Sequence, residues 1–122
     1  MVRSLYSGSR VTELTGRDFV GKKLKKSHIN NGGAIVLFYA NWCGHCKDMA
    51  PEYRRLAVAS PIPVLAVESK NEDVMKKFGI QGFPTIKFAN SAGTLSRYDG
   101  SRNLHGLLNQ ACMKASVCKL PK

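Results

Sequence analysis

Cys43 and Cys46 stand three residues apart, just after an unbroken apolar run, Ala34 to Ala40, and at the head of a stretch in which Met49, Tyr53, Leu56 and Ala57 recur at helical spacing. That location matters more than the spacing. A cysteine at the first turn of a helix faces unpaired N–H groups and the positive end of the helix dipole, and both favour a thiolate. Cys43 is therefore the expected nucleophile. Cys46 lies on the same helix face and can close a local disulfide, expelling whatever had been attached to Cys43. The chemistry this predicts is dithiol–disulfide exchange, with no cofactor and no metal. A zinc knuckle would need two more ligands; Cys112 and Cys118 are too far apart to form a second knuckle, and His28 and His105 offer no substitute. A purely structural bridge would have no need of Trp42 before it or of Gly44-His45 inside it.

The elements that must hold this pair follow from periodicity and breakers. Val11 to Leu14 reads as a short strand, and Thr15 as a helix cap with Asp18 at the favourable end. A helix is predicted from there, with Phe19, Val20, Leu24 and Ile29 inward and Lys22, Lys23, Lys25 and Lys26 outward, until Asn30-Asn31-Gly32-Gly33 ends it. Ala34 to Tyr39, apolar without alternation, is a central strand covered on both faces. The helix after Cys43 carries Pro51 as an expected kink and stops at Pro61-Ile62-Pro63. Val64 to Val67 is the next strand, and Asn71 to Phe78 the next helix, with Gly79 as its stop signal. Pro84 to Phe88 and Thr94 to Tyr98 form a hairpin around Asn90-Ser91-Ala92-Gly93, and Asn103 to Lys114 a last helix with Leu104, Leu107, Leu108 and Ala111 on one face. This order, βαβαβαββα, predicts an α/β fold with a central mixed sheet flanked by helices on both faces.

At 122 residues and 13.4 kDa the chain suits one domain, 1–122, with 1–9 expected to be loosely held and 115–122 expected to form a C-terminal tail. The longest apolar run is seven residues, against about 20 for a membrane-spanning helix, so no membrane insertion is expected. The first residues lack the apolar core of a secretory signal, and Lys119-Leu120-Pro121-Lys122 is not a retention signal. Nineteen Lys and Arg against eight Asp and Glu give +11. The excess colours the approach of acidic partners, yet no zinc-finger, helix-turn-helix or RNA-binding signature accompanies it, so no specific nucleic acid is expected.

Ala40-Asn41-Trp42-Cys43-Gly44-His45-Cys46-Lys47, Pro51 and Gly82-Phe83-Pro84-Thr85 resemble the thioredoxin superfamily, and within it the catalytic domains of protein disulfide isomerases. The likeness extends to Val11-Thr12-Glu13-Leu14-Thr15, Phe38-Tyr39-Ala40 and Tyr98-Asp99-Gly100-Ser101-Arg102. It implies a thioredoxin fold and a catalytic set of Cys43, Gly44, His45, Cys46 and Arg102, with Cys43 and Cys46 as the redox-active disulfide. It also implies a cis peptide bond before Pro84 and an apolar rim of Trp42, Phe83 and Pro84 for client chains. His45, where thioredoxin-like reductants usually carry Pro, is expected to stabilise the dithiol and so make the disulfide more oxidising. Arg102 matches a mobile arginine near the family's active site.

Two positions depart from the pattern. The buried Glu expected six residues before the first cysteine is Leu37, and its Lys partner falls on Ala66. Losing both together avoids an unpaired buried charge but removes the group that would take the proton of Cys46. Cys112 and Cys118 belong to no motif; a bridge between them and a pair of separate thiols are both open readings. The expected function is disulfide oxidation or isomerisation on cysteine-containing proteins, by a monomer served by an unidentified redox recycling partner. The alternatives are a thioredoxin-like reductant and a client-binding module of slow turnover. The expected compartment is cytosolic or virion-associated for the chain as written, and the endoplasmic reticulum lumen or the secreted space if a leader has been removed.

Overall fold

A computed structural model describes residues 4–115. Five strands form one sheet: β1 (Thr12–Leu14), β4 (Ala34–Tyr39), β5 (Val64–Glu68), β6 (Thr85–Ala89) and β7 (Leu95–Tyr98), in the order β1-β5-β4-β6-β7. The β1–β5 and β4–β5 pairs are parallel, whereas β4–β6 and β6–β7 are antiparallel, so the sheet is mixed. Between its outer strands β4 is buried along its whole length.

The unbroken apolar run of β4 divides between two cores because side chains alternate across a strand. Ile35, Leu37 and Tyr39 pack under α1 (Gly44–Ala59) and α3 (Leu104–Ala115), together with Tyr53, Leu56, Leu107 and Ala111. Ala34, Val36 and Phe38 face the other way, against Val74 and Met75 of α2 (Glu72–Lys77) and against Phe19 and Leu24. Helices thus cover both faces, as predicted.

The helix expected after Thr15 does not form. Its start is present: the Asp18 carboxylate accepts from Thr15 N–H at 2.8 Å, and Thr15 Oγ1 from Arg17 N–H at 3.4 Å. The turn lasts only Gly16–Asp18, as a 3-10 helix. The chain then makes a two-stranded ribbon, β2 (Phe19–Val20) with β3 (Lys23–Leu24), around Gly21 at φ +59. Phe19 and Leu24 are register partners and both are buried, each burial stabilising by about 1.5–3 kcal/mol. Val20, expected inside, is 65% exposed. The lysines that decorate this stretch point to water in either conformation, so their spacing could not choose between helix and ribbon.

Segment 4–9, expected to be loose, is pinned to the domain. Leu5 N–H donates to Asn41 Oδ1 at 3.0 Å, the Arg54 guanidinium donates to Leu5 C=O at 2.7 Å, and Tyr6 is buried against the rings of Tyr39 and Tyr53. Ahead of β4, Gly33 at φ +97 is required: a Cβ there would lie 1.8 Å from Ala89 O. Pro51 lies inside α1 without ending it. No helix among the described residues is long and apolar enough to cross a membrane.

Candidate functional site

The site lies where β4 gives way to α1. Cys43 is the N-cap of α1, with extended backbone (φ −82, ψ 121), and its Sγ accepts from Cys46 N–H at 3.3 Å. This sulfur fills the place usually taken by a Ser or Asp oxygen at a helix start. On its other side Cys43 Sγ donates to the Phe83 carbonyl at 3.6 Å, across the loop that leads into β6. The Phe83–Pro84 bond is cis, as the resemblance implied. Both thiols are free.

The two sulfurs sit in different surroundings. Cys43 keeps 8% of its surface open, while Cys46 has none. Cys46 belongs to the core that also holds Leu37, Ala40, Met49 and Ala66, and no charged or polar residue is buried among those described. Loss of solvent is the main reason its thiol is pushed up to about 12, and the neighbouring Cys43 adds to the rise. A backbone contact with Ala40 and the positive charge of Arg102 act in the opposite direction.

Leu37 and Ala66 are direct register partners across β4 and β5, and both are wholly buried. The pair of departures noted in the sequence is thus one local substitution of packing for charge in the core that holds Cys46. Sequence reasoning missed Tyr6. Its hydroxyl is buried with no hydrogen-bond partner among the described residues. Burial first, and then charge on Cys46, raise its titration well above the usual tyrosine range. A tyrosine in a segment without periodicity gave no sign of this position.

Of the remaining expected residues, Trp42 is 73% exposed and its ring meets that of Phe83 edge-on, centroids 5.9 Å apart. The two make an apolar rim beside Cys43. Gly44 and His45 are exposed in the first turn of α1. His45 shares a shallow hollow with Asp48, Glu52 and Arg102, so Arg102 does lie at this end of the molecule. Cys112 is buried on α3 and disulfide-bonded, and Cys118 lies outside the described residues. Among the described residues no group of three or more His, Cys, Asp or Glu side chains could hold a metal.

A mixed sheet with a cysteine pair heading the helix after its central strand, faced by a cis-proline loop, defines a thioredoxin fold. The chain belongs to the thioredoxin family, whose model matches residues 11–113. It is 40% identical over 99 residues to the Caenorhabditis elegans protein named Probable protein disulfide-isomerase A4, a match covering 80% of this chain and 15% of that one. Against protein disulfide-isomerase A3 of Gallus gallus it is 34% identical over 104 residues, 83% of this chain and 20% of the relative. The chain therefore spans a fifth or less of the length of these two relatives. The solution structure of the first thioredoxin domain of mouse protein disulfide-isomerase A4 superposes with a TM-score of 0.68 at 28% identity, covering 93% of this chain and 81% of that domain.

Proposed function

We propose that residues 1–122 act as a single thioredoxin-like domain that exchanges disulfides with cysteine-containing proteins, in the oxidising or isomerising direction. The observation that carries this reading is Cys43 Sγ held between Cys46 N–H and the Phe83 carbonyl at the open end of α1. In the oxidising direction a client thiolate attacks the Cys43–Cys46 disulfide, forms a mixed disulfide at Cys43 and releases Cys46 as a thiolate, which takes up a proton. A second client thiolate then attacks the client sulfur and frees Cys43. The client has lost two electrons and the dithiol has gained them, to be passed on to a recycling partner. For reduction and isomerisation the first step is attack by the Cys43 thiolate on a client disulfide, which releases one client thiolate. In reduction Cys46 then resolves the mixed disulfide and the pair is oxidised; in isomerisation a different client thiolate attacks the client sulfur, forms the new client disulfide and returns Cys43 with no net change of oxidation state.

The rim of Trp42, Phe83 and Pro84 holds the client backbone and an apolar side chain near Cys43. Arg102 places positive charge at the end of the molecule where the thiolates form, and His45 offers a ring N–H in the first turn of α1 beside it. A dithiol stabilised in this way belongs to an oxidising compartment. The test is the equilibrium potential of the pair against glutathione, expected at about −230 to −150 mV, above the ~−270 mV of thioredoxin. His45→Pro should move it to more negative values. A thioredoxin-like potential in the wild type would make the chain a reductant, and no shift in the variant would remove His45 from the argument.

One observation favours a second reading, a client-holding module of slow turnover: the buried Cys46, whose thiol is raised to about 12 in a core without a carboxylate. Catalysed refolding of a scrambled protein at stoichiometric rather than catalytic yield would favour that reading.

A further inference from the structure

From Phe83 and Pro84 toward α2 the surface is lined by cations without acids, whereas on the side of Tyr98 Pro84 shares a hollow with both Arg97 and Asp99. A hollow of about 390 Å³ runs from these residues past Gly79 and Gln81 to Lys87 and Arg97. A second, of about 500 Å³, continues from Lys87 to Lys22, Lys76 and Lys77, and the two share Phe78, Gly79 and Lys87. Neither is lined by an acidic residue. Arg97 is met by Asp99 at 2.8 Å, whereas the four lysines have no ion-pair partner among the described residues.

Lys76 and Lys77 suit the C-terminal end of α2, where the dipole favours cations. That does not account for the rest. Lys87 and Arg97 are direct partners across β6 and β7, and like charges placed opposite each other weaken a sheet. Lys22 arrives from the turn of the β2–β3 ribbon. Three separate parts of the fold therefore bring cations to one groove that opens at the rim of the site. On the other flank of Cys43 the lining changes: the hollow beneath His45 and Arg102 contains two carboxylates, Asp48 and Glu52.

We infer that the groove from Phe83 and Pro84 to Lys22 receives the acidic flank of a client polypeptide, so that the domain selects clients with Asp and Glu on one side of the reactive cysteine. The inference rests on thiol–disulfide exchange being the activity. An extended client held at Phe83 meets lysines without acidic partners along one arm and a mixed lining of Asp48, Glu52 and Arg102 along the other, so attraction is one-sided. A net charge of +11 alone would draw in any acidic chain, whichever end carried the acids.

The experiment compares disulfide-linked fluorogenic peptides of equal length, with three Glu before the cysteine, three Glu after it, or three Gln in both places. Reduction by the dithiol, which is regenerated by an excess of reduced glutathione whose direct reaction with each peptide is subtracted, is followed as kcat/KM at low and high salt. The expected result is a preference of roughly ten-fold for one acidic arm over the neutral peptide at low salt, little for the other arm, and collapse of the preference as salt rises. Lys76→Glu with Lys87→Glu should abolish the preference and leave the neutral peptide unaffected, and Lys76→Gln with Lys87→Gln should reduce it. Arg55→Glu with Lys114→Glu changes the net charge equally on exposed helix positions away from the groove and should preserve it. Equal preference for both arms, or equal loss in both charge-reversed variants, would reduce the effect to overall charge and overturn the inference. So would a single-stranded oligonucleotide bound at the groove with no peptide preference. Failure to turn over the neutral peptide would instead overturn the activity on which the inference rests.

Discussion

Resolution of the Cys43 mixed disulfide should be limited by deprotonation of Cys46, and Leu37→Glu should relieve it. In the dithiol, burial first and then the neighbouring Cys43 raise the Cys46 thiol from an ordinary 9.0 to about 12; in the mixed disulfide the burial part persists and the Cys43 part is gone, so the thiolate fraction at neutral pH falls by up to about 1,000-fold. A more basic thiolate is a better nucleophile, and with a Brønsted coefficient of about 0.4–0.5 it recovers about 15–30-fold. The net penalty is at most about 30–60-fold. Leu37 lies in the same core as Cys46, so a carboxylate at this position can accept the proton inside the site. It carries a cost: an unpaired buried charge destabilises by about 3–5 kcal/mol. Ala66, its register partner, is where a Lys would compensate, so Leu37→Glu with Ala66→Lys should recover part of the stability and keep part of the rate. The assay is stopped-flow release of a chromogenic thiol from Cys43. In the wild type the rate should climb about ten-fold per pH unit between about pH 6 and 9, since the thiol stays mostly protonated throughout that range. Leu37→Glu should raise the rate by at least about ten-fold at pH 7 and flatten the slope, and Arg102→Gln should slow it. A wild-type rate independent of pH, or equal rates in wild type and both carboxylate variants, would refute the reasoning.

Cys43→Ser should abolish exchange, whereas Cys46→Ser should still form mixed disulfides and accumulate them with clients. Iodoacetamide should label Cys43 first in the reduced protein, because Cys46 has no exposed surface, and mass spectrometry of the tryptic peptides reads the order; labelling of Cys46 first would reverse the two roles. The Asp18 carboxyl, although partly buried, is held below its usual range by the Thr15 N–H and by His28 at 2.6 Å. Its contribution to stability is whole above the unfolded value of about 3.9 and is lost as pH falls through the lower folded value. Asp18→Asn, which removes the charge and keeps an acceptor oxygen for Thr15 N–H, should cost about 0.2–1 kcal/mol at pH 6 and shrink the acid limb of the urea-unfolding curve; an unchanged limb would remove this carboxyl as its source.

The position of the cysteine pair was legible in the chain because it depends on neighbours in sequence. An apolar run followed at once by a helical pattern puts Cys43 at a helix start whatever the rest of the fold does. The five sheet strands and three α-helices were equally legible, since β4 reads as buried on both faces, α1 stops before Pro61-Ile62-Pro63 and α2 before Gly79, and α3 carries its apolar residues on one face. The stretch from Phe19 to Ile29 was misread because four exposed lysines and scattered apolar residues satisfy a helix and a ribbon alike. Packing of Phe19 and Leu24 against α2, together with the turn at Gly21, decided for the ribbon.

By itself, then, the sequence determined which residues could react and which elements would carry them, for these are set by spacing of a few residues and by local breakers. Only the tertiary structure decided what surrounds them. It buried Cys46 completely, set Leu37 beside Ala66 in the same apolar core, and seated Tyr6 against Tyr39 and Tyr53. It also gathered Lys22, Lys76, Lys77 and Lys87 around one groove. Burial and electrostatic potential are sums over groups distant in the chain, and strand pairing in the sheet fixes which of those groups become neighbours.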